Sequence, residues 1–211
     1  MVGRIIGLIL FSIGIIGLLT VKTFVNNEIF KKISDIILSI FPIYLLFFIP
    51  ITLNTLLWTC GLTLAYNVIE RKPIVGLILY LLIYTYFGVL ELIQDFNKEV
   101  LIVSFLTSPL LITSLFLVKV LKLKVFSTIN TKLIVFTSLY ILFALTSLVY
   151  MYGISHNFGF LMLFNSDVVL GFKYIEYIMY KNEKCDKILS YIVLLLFYIG
   201  VILSSVHIST I

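Results

Sequence analysis

The sequence predicts an all-α, polytopic membrane protein with eight transmembrane helices. Three observations carry that expectation. Of the 211 residues, 62% are hydrophobic and 12% charged, and the mean hydropathy is +1.20; a soluble domain carries about 25% charged and about 45–50% apolar residues. The apolar residues come in runs close to the ~20 that cross a bilayer as a helix. The basic residues gather in alternate breaks between those runs. This composition excludes a soluble enzyme and a disordered chain. The net charge of +5 is spread over short loops and not along one face, which excludes a nucleic-acid partner. Eight spans fill the chain, so 1–211 is expected to be a single integral membrane domain.

The expected spans are 5–21, 33–49, 52–69, 74–93, 100–118, 133–152, 158–178 and 188–206. The first follows Arg4 like a signal peptide, but no A-x-A-like cleavage site precedes Lys22, so it is read as an uncleaved helix. The stretch 33–69 is too long for one span. It is divided at Ile49-Pro50-Ile51-Thr52-Leu53-Asn54, because Pro removes a helix hydrogen bond and disfavours helix for the residue before it. The remaining spans are apolar runs bounded by polar breaks.

Charge tests the division. With eight spans, one set of alternate loops holds Lys22, Lys31, Lys32, Arg71, Lys72, Lys119, Lys122, Lys124, Lys132, Lys173, Lys181, Lys184 and Lys187, and the other side only Arg4 and Lys98, a ratio of 13 to 2. Reading 33–69 as one span moves Lys22, Lys31 and Lys32 across and gives 11 to 4. Basic residues are retained on the cytoplasmic side, so both termini are expected outside. The Ile- and Lys-rich composition suits a bacterial-type plasma membrane. Segments 61–67 and 159–165 both run from Gly to Asn toward a basic loop, as a parallel repeat of four plus four helices would produce.

Little in the chain has metal-ligand or disulfide spacing. Cys60 and Cys185 form no framework, and His156 and His207 stand far apart at the outer ends of their spans, so neither a metal nor another cofactor is expected. No P-loop, G-x-S-x-G or H-E-x-x-H occurs. Asp167 is the informative residue. It lies about ten residues into the seventh span, ~15 Å from its outer end, where a carboxylate costs a few kcal/mol and marks a functional site by default. Gly159, Leu163, Asp167, Gly171 and Tyr174 share one helical stripe; it fits either close approach of a lipid-like ligand or a helix-packing seam. Asn165 and Ser166 beside Asp167 can hydrogen-bond a ligand or a neighbouring helix. Asn67 is the positional partner of Asp167 at similar depth, and Glu70 follows it on the same face as a boundary charge. Lys173 and Glu176 are spaced to pair at the membrane edge. Glu91 and Asp95 are expected to be solvated near the outer boundary. Most tyrosines suit interfacial belts, whereas Tyr84 and Tyr198 lie deeper, where they could line a cavity.

Eight spans together with Gly159…Phe164-Asn165-Ser166-Asp167…Gly171-Phe172-Lys173-Tyr174 resemble the YhhN-type lysoplasmalogenase family, whose seventh span carries a G-x-x-x-F-x-x-S-D-like segment. Gly159, Ser166 and Asp167 align with it. Thr63 to Asn67 matches the family's third-span S-x-x-G-D segment, with Gly76 and Tyr80 opening the fourth span. The resemblance implies cleavage of the vinyl ether bond of lysoplasmalogens, giving an aldehyde and a glycerophospho head group, with membrane lipid as partner and a lysolipid as substrate. It implies Asp167 and position 67 as the catalytic pair, one carboxylic acid protonating carbon and one carboxylate activating water. Ser166, Asn165, Gly171, Tyr84 and Tyr198 are the candidate substrate contacts. The departures are specific: position 67 is Asn, the Gly before it is Tyr66, Tyr84 occupies the place of a His, and Phe197 to Val201 lacks the family's Gln. The expected function is a divergent lysoplasmalogenase-like hydrolase or lysolipid-binding protein. A small transporter or channel using Asp167, or an accessory membrane protein without chemistry, is the alternative.

Overall fold

Apolar runs that must hide their backbone polar groups from lipid can do so by closing hydrogen bonds within themselves, and this chain does. The computed structural model describes residues 2–69, 72–120, 139–180 and 183–211, and every regular element among them is helical. In order these are α1 (Val2–Phe24), α2 (Glu28–Ser39), α3 (Phe41–Leu45), α4 (Leu53–Ile69), α5 (Pro73–Gln94), α6 (Lys98–Val120), a π-helical turn (Tyr140–Leu145) that runs directly into α7 (Thr146–Ser155), α8 (Phe158–Tyr180) and α9 (Glu183–Ile208). Three stretches among the described residues are long and apolar enough to cross a membrane: Ile6–Phe24, Pro73–Gln94 and Cys185–Ile208. They mark the chain as a membrane protein. By contact it divides into two compact units, one of Met1–Cys60 with Asn157–Thr210 and one of Gly61–His156 with Ile211.

In the first unit α1 and α2 form an antiparallel hairpin across Val25-Asn26-Asn27. Asn27 caps α2, its Oδ1 accepting from the backbone N–H of Ile29 at 2.9 Å and of Phe30 at 3.4 Å, so two orphan donors of the first turn are satisfied. The expected second span, 33–49, is not one helix. It breaks between α2 and α3 and unwinds again after Leu45. The cause is Pro42, which has no N–H to offer the Leu38 carbonyl and crowds the preceding turn. The hydroxyl of Tyr198 on α9 donates to that carbonyl at 3.5 Å, and Phe41 packs edge-on to the Tyr198 ring, centroids 4.8 Å apart. A neighbouring helix thus compensates the break, as apolar surroundings require.

The turn expected at Pro50 is present. Thr52 and Thr55 bond reciprocally: the N–H of Thr55 donates to Thr52 Oγ1 at 3.1 Å, and the N–H of Thr52 to Thr55 Oγ1 at 2.9 Å. This is a capping box built from two threonines, and it starts α4 at Leu53. Further along, the indole Nε1–H of Trp58 donates to Ser204 Oγ at 2.8 Å, and that hydroxyl donates to the Gly200 carbonyl at 2.7 Å. Trp58 is fully buried; its one polar atom has a partner, as a buried indole requires.

The second unit contains α5, α6, the π-helical turn and α7. The buried face of α5 carries Tyr80, Tyr84, Phe87 and Glu91. Tyr80 stacks on Tyr84 at 5.5 Å and meets Tyr140 edge-on at 6.5 Å. A hydrogen bond of 2.8 Å joins Ser108 on α6 to Thr146 on α7. The Tyr150 hydroxyl donates to the Asp95 carbonyl at 2.8 Å and accepts from the Asn97 N–H at 3.2 Å, closing the α5–α6 connection. Residues 133–138 of the expected sixth span lie outside the described residues.

Candidate functional site

Asp167 stands on α8, nine residues after Phe158, ~14 Å along the axis. It is half-buried, between the buried Ser166 and the half-buried Val168. The helix that carries it is held against α9 by close backbone approach. A Cβ on Gly159 would collide with the Ser204 backbone N and lie 2.8 Å from the Gly200 carbonyl oxygen, and one on Gly200 would lie 2.8 Å from Leu163 Cγ. The outer half of the stripe Gly159, Leu163, Asp167 is therefore a packing seam, made possible by two residues without side chains.

The neighbours of Asp167 are already engaged. Ser166 Oγ donates across the seam to the Val193 carbonyl at 3.0 Å. Asn165 is exposed, and its Nδ2 donates to the Leu161 carbonyl one turn back at 2.8 Å. Gly171 is half-buried one turn further on. The side chain of Tyr174 lies outside the described residues. Tyr198 is buried, but its hydroxyl serves the broken α2–α3 segment. Asn67 and Tyr84 belong to the second unit: Asn67 is exposed on the last turns of α4, and Tyr84 is fully buried on α5. Glu70 lies outside the described residues. Of the candidate residues, the fold brings together the consecutive Asn165, Ser166 and Asp167, and it turns Asn165 away from the seam that Ser166 enters.

One reading of the sequence is corrected. Glu91, expected to be a solvated carboxylate near the outer boundary, is only 2% exposed. It continues the line of Tyr84 and Phe87 along the inward face of α5, and that spacing was the signal that could have shown it. Asp95, four residues on, is exposed as expected. Lys173 meets Asp186 of α9 at 3.8 Å; the side chain of Glu176 lies outside the described residues.

Among the described residues no group of three His, Cys, Asp or Glu side chains could hold a metal ion. Two grooves lie in the second unit, one of about 490 Å³ along Leu81, Thr85, Val89 and Phe143, the other of about 130 Å³ reaching Gly88, Thr146 and Tyr150. Both are apolar, and neither is lined by Asp167 or Asn67. No protein-family profile, no curated protein and no solved structure matches the chain.

Proposed function

We propose that the chain is an eight-span integral membrane protein with both termini outside, and that it binds lysolipids and hydrolyses the lysoplasmalogen vinyl ether weakly, with Asp167 as proton donor. One observation carries this reading: a carboxyl group sits in the middle of an apolar helix, half-buried, on a scaffold held by backbone contact. In that chemistry the acid gives its proton to the vinyl ether carbon. Water adds to the resulting cation, and the hemiacetal separates into aldehyde and glycerophospho alcohol, a proton returning to the carboxylate. Position 67 is where the resemblance implies a second acid, and Asn67 there accounts for weak turnover. The eight described helical segments, counting α2 with α3 and the π-helical turn with α7, support eight spans. A four-plus-four repeat with α4 and α8 as counterparts belongs to the same proposal and rests on the likeness of 61–67 to 159–165.

The test is Asp167→Asn in purified protein given a lysoplasmalogen. Turnover is expected to fall by ~10²–10⁴ with the membrane level unchanged, and Asn67→Asp is expected to raise the native rate. Equal turnover by Asp167→Asn removes the catalytic role; loss of the protein from the membrane makes Asp167 structural. Topology has its own check. A membrane-impermeant thiol reagent on intact cells is expected to leave Cys185 unlabelled, and strong labelling there reverses the orientation.

A transport reading gains one observation, the burial of Glu91 as a second inward acid. Proton or cation flux through proteoliposomes that neither bind nor cleave lysolipid would decide for it.

A further inference from the structure

The water-proximal end of the α1–α2 hairpin combines charge and apolar surface in a way the fold leaves uncovered. Lys22 closes the apolar run Ile6–Phe24, and its ammonium pairs with Asp35 at 2.9 Å. That pair sets Asp35 level with the end of the apolar run, so the first two turns of α2, before Asp35, lie beside or beyond that end. There Ile29, Phe30 and Ile33 are 68%, 54% and 46% exposed, and Ile36, just after Asp35, is 64% exposed. Ile29, Ile33, Ile36 and Ile40 recur at i, i+4, i+7 and i+11 and form one stripe, whereas Ser34 and Leu38 on the other side are buried.

The charge around this stripe is unbalanced. Lys22 is matched by Asp35 and Lys173 by Asp186. Among the described residues the exposed Lys32 and Lys187 make no ion pair or hydrogen bond through their side chains, whereas Lys31 is half-buried on the face of Ser34 and Leu38. Lys187 precedes by one turn Tyr191, whose ring lies 5.3 Å from that of Phe24 and whose hydroxyl is 3.3 Å from Thr20 Oγ1. Glu28 stands at the first turn of α2, where the helix dipole favours a carboxylate, and makes no ion pair among the described residues.

We infer that this end of the first unit is an interfacial docking surface for anionic phospholipid, Ile29, Phe30 and Ile33 meeting the acyl boundary and the exposed Lys32 and Lys187 meeting the head-group phosphates. Exposed apolar residues at the end of a spanning helix, with lysines beside them, bind there by buried area and by attraction to anionic lipid together. A lysine near such a surface contributes about 1 kcal/mol, which is about fivefold in relative affinity. The inference rests on the chain lying in a bilayer and is independent of any chemistry at Asp167.

Tryptophan quenching tests it on the full chain. The protein has one tryptophan, the fully buried Trp58, so wild type gives the baseline and Phe30→Trp adds a reporter at the stripe. The reporter is reconstituted in bilayers that mix phosphatidylglycerol and phosphatidylcholine, one of the two brominated at a time. Brominated phosphatidylglycerol is expected to quench several-fold more effectively than brominated phosphatidylcholine at equal mole fraction. Lys32→Gln with Lys187→Gln, or high salt, is expected to bring the two to parity. Equal quenching by both lipids in the wild-type lysine background removes the preference and overturns the inference. No quenching by either places the stripe against protein or water and also overturns it. Native mass spectrometry provides a second readout with Phe30 intact: the Lys32→Gln, Lys187→Gln protein is expected to release bound phosphatidylglycerol that wild type retains, and equal retention counts against the inference. A chain that stays in the aqueous phase without lipid breaks the membrane reading itself.

Discussion

In the first unit α8 and α9 close backbone to backbone: Gly159 faces the Ser204 amide and the Gly200 carbonyl, and Gly200 faces Leu163. In the second unit, α5 meets the π-helical turn through rings, Tyr80, stacked on Tyr84 of its own helix, against Tyr140, and α6 is tied to α7 by the Ser108–Thr146 hydrogen bond. The difference lies in what can yield. A backbone seam has no rotamer to change, so an added side chain must push two helices apart. A seam of side chains can redistribute a change among several χ angles. Lipid drives no hydrophobic association between helices, so dispersion contact and interhelical hydrogen bonds hold both. The α8–α9 seam gains contact by approach, and the meeting of α5 with the π-helical turn by large, polar-tipped residues; within the second unit Gly88 of α5 also comes close to α7, where an added Cβ would lie 2.6 Å from Ser147 Oγ.

The sharpest way to break this contrast is Gly159→Val. Its Cβ enters space held by backbone atoms, so the loss should be at least the ~3 kcal/mol at the upper end of overpacking costs, seen as a collapsed apparent melting temperature in detergent; an unchanged melt would mean that the seam does not close as described. In the second unit, Tyr150→Phe keeps the ring and removes both bonds to the α5–α6 connection. A loss of about 1–2 kcal/mol is expected, together with faster amide exchange at Asn97, and protection equal to wild type would show that the connection holds without the hydroxyl. Ser166→Ala removes one interhelical bond to the Val193 carbonyl and should cost only about 0.6 kcal/mol; a much larger loss would mean that the seam depends on that bond more than on its glycines. Gly14→Ala sharpens the comparison from below. Nothing lies within 4 Å of its added methyl, so its melting temperature should not fall, and the lost backbone freedom of a mid-helix glycine should raise stability by about 0.5–1 kcal/mol.

Much of the helical layout was legible in hydropathy alone, because an apolar run ended by charge or Pro has few alternatives in lipid. The expected 52–69, 74–93 and 158–178 became Leu53–Ile69, Pro73–Gln94 and Phe158–Tyr180. The second span departs from the expected single helix for a local reason. Pro42 removes a backbone donor as Pro50 does, and it sits where Tyr198 can serve the freed carbonyl. The π-helical turn left no signal, since its residues Tyr140 to Leu145 suit an α-helix equally well. Glu91 is buried although its place near a span's end reads as solvation, because its burial depends on what packs over α5. Asp167 could be found from its depth. That Asn165 would face outward and Ser166 would be engaged by α9 depended on how α8 is rotated against α9, which apolar composition does not set.

The π-helical turn has a consequence for the length of the chain. Bonds in such a turn skip one residue more than in an α-helix, so Tyr140–Leu145 stores one surplus residue in the helix that continues as α7. Deleting one residue between Ile141 and Phe143 would let the turn relax to α geometry while Tyr140 before it and Leu148 and Met151 after it keep facing inward. The same deletion in α5, which has no such slack, would swing every residue beyond it about 100° around the axis. The second unit therefore carries a built-in tolerance to single-residue deletion, confined to one turn of one helix.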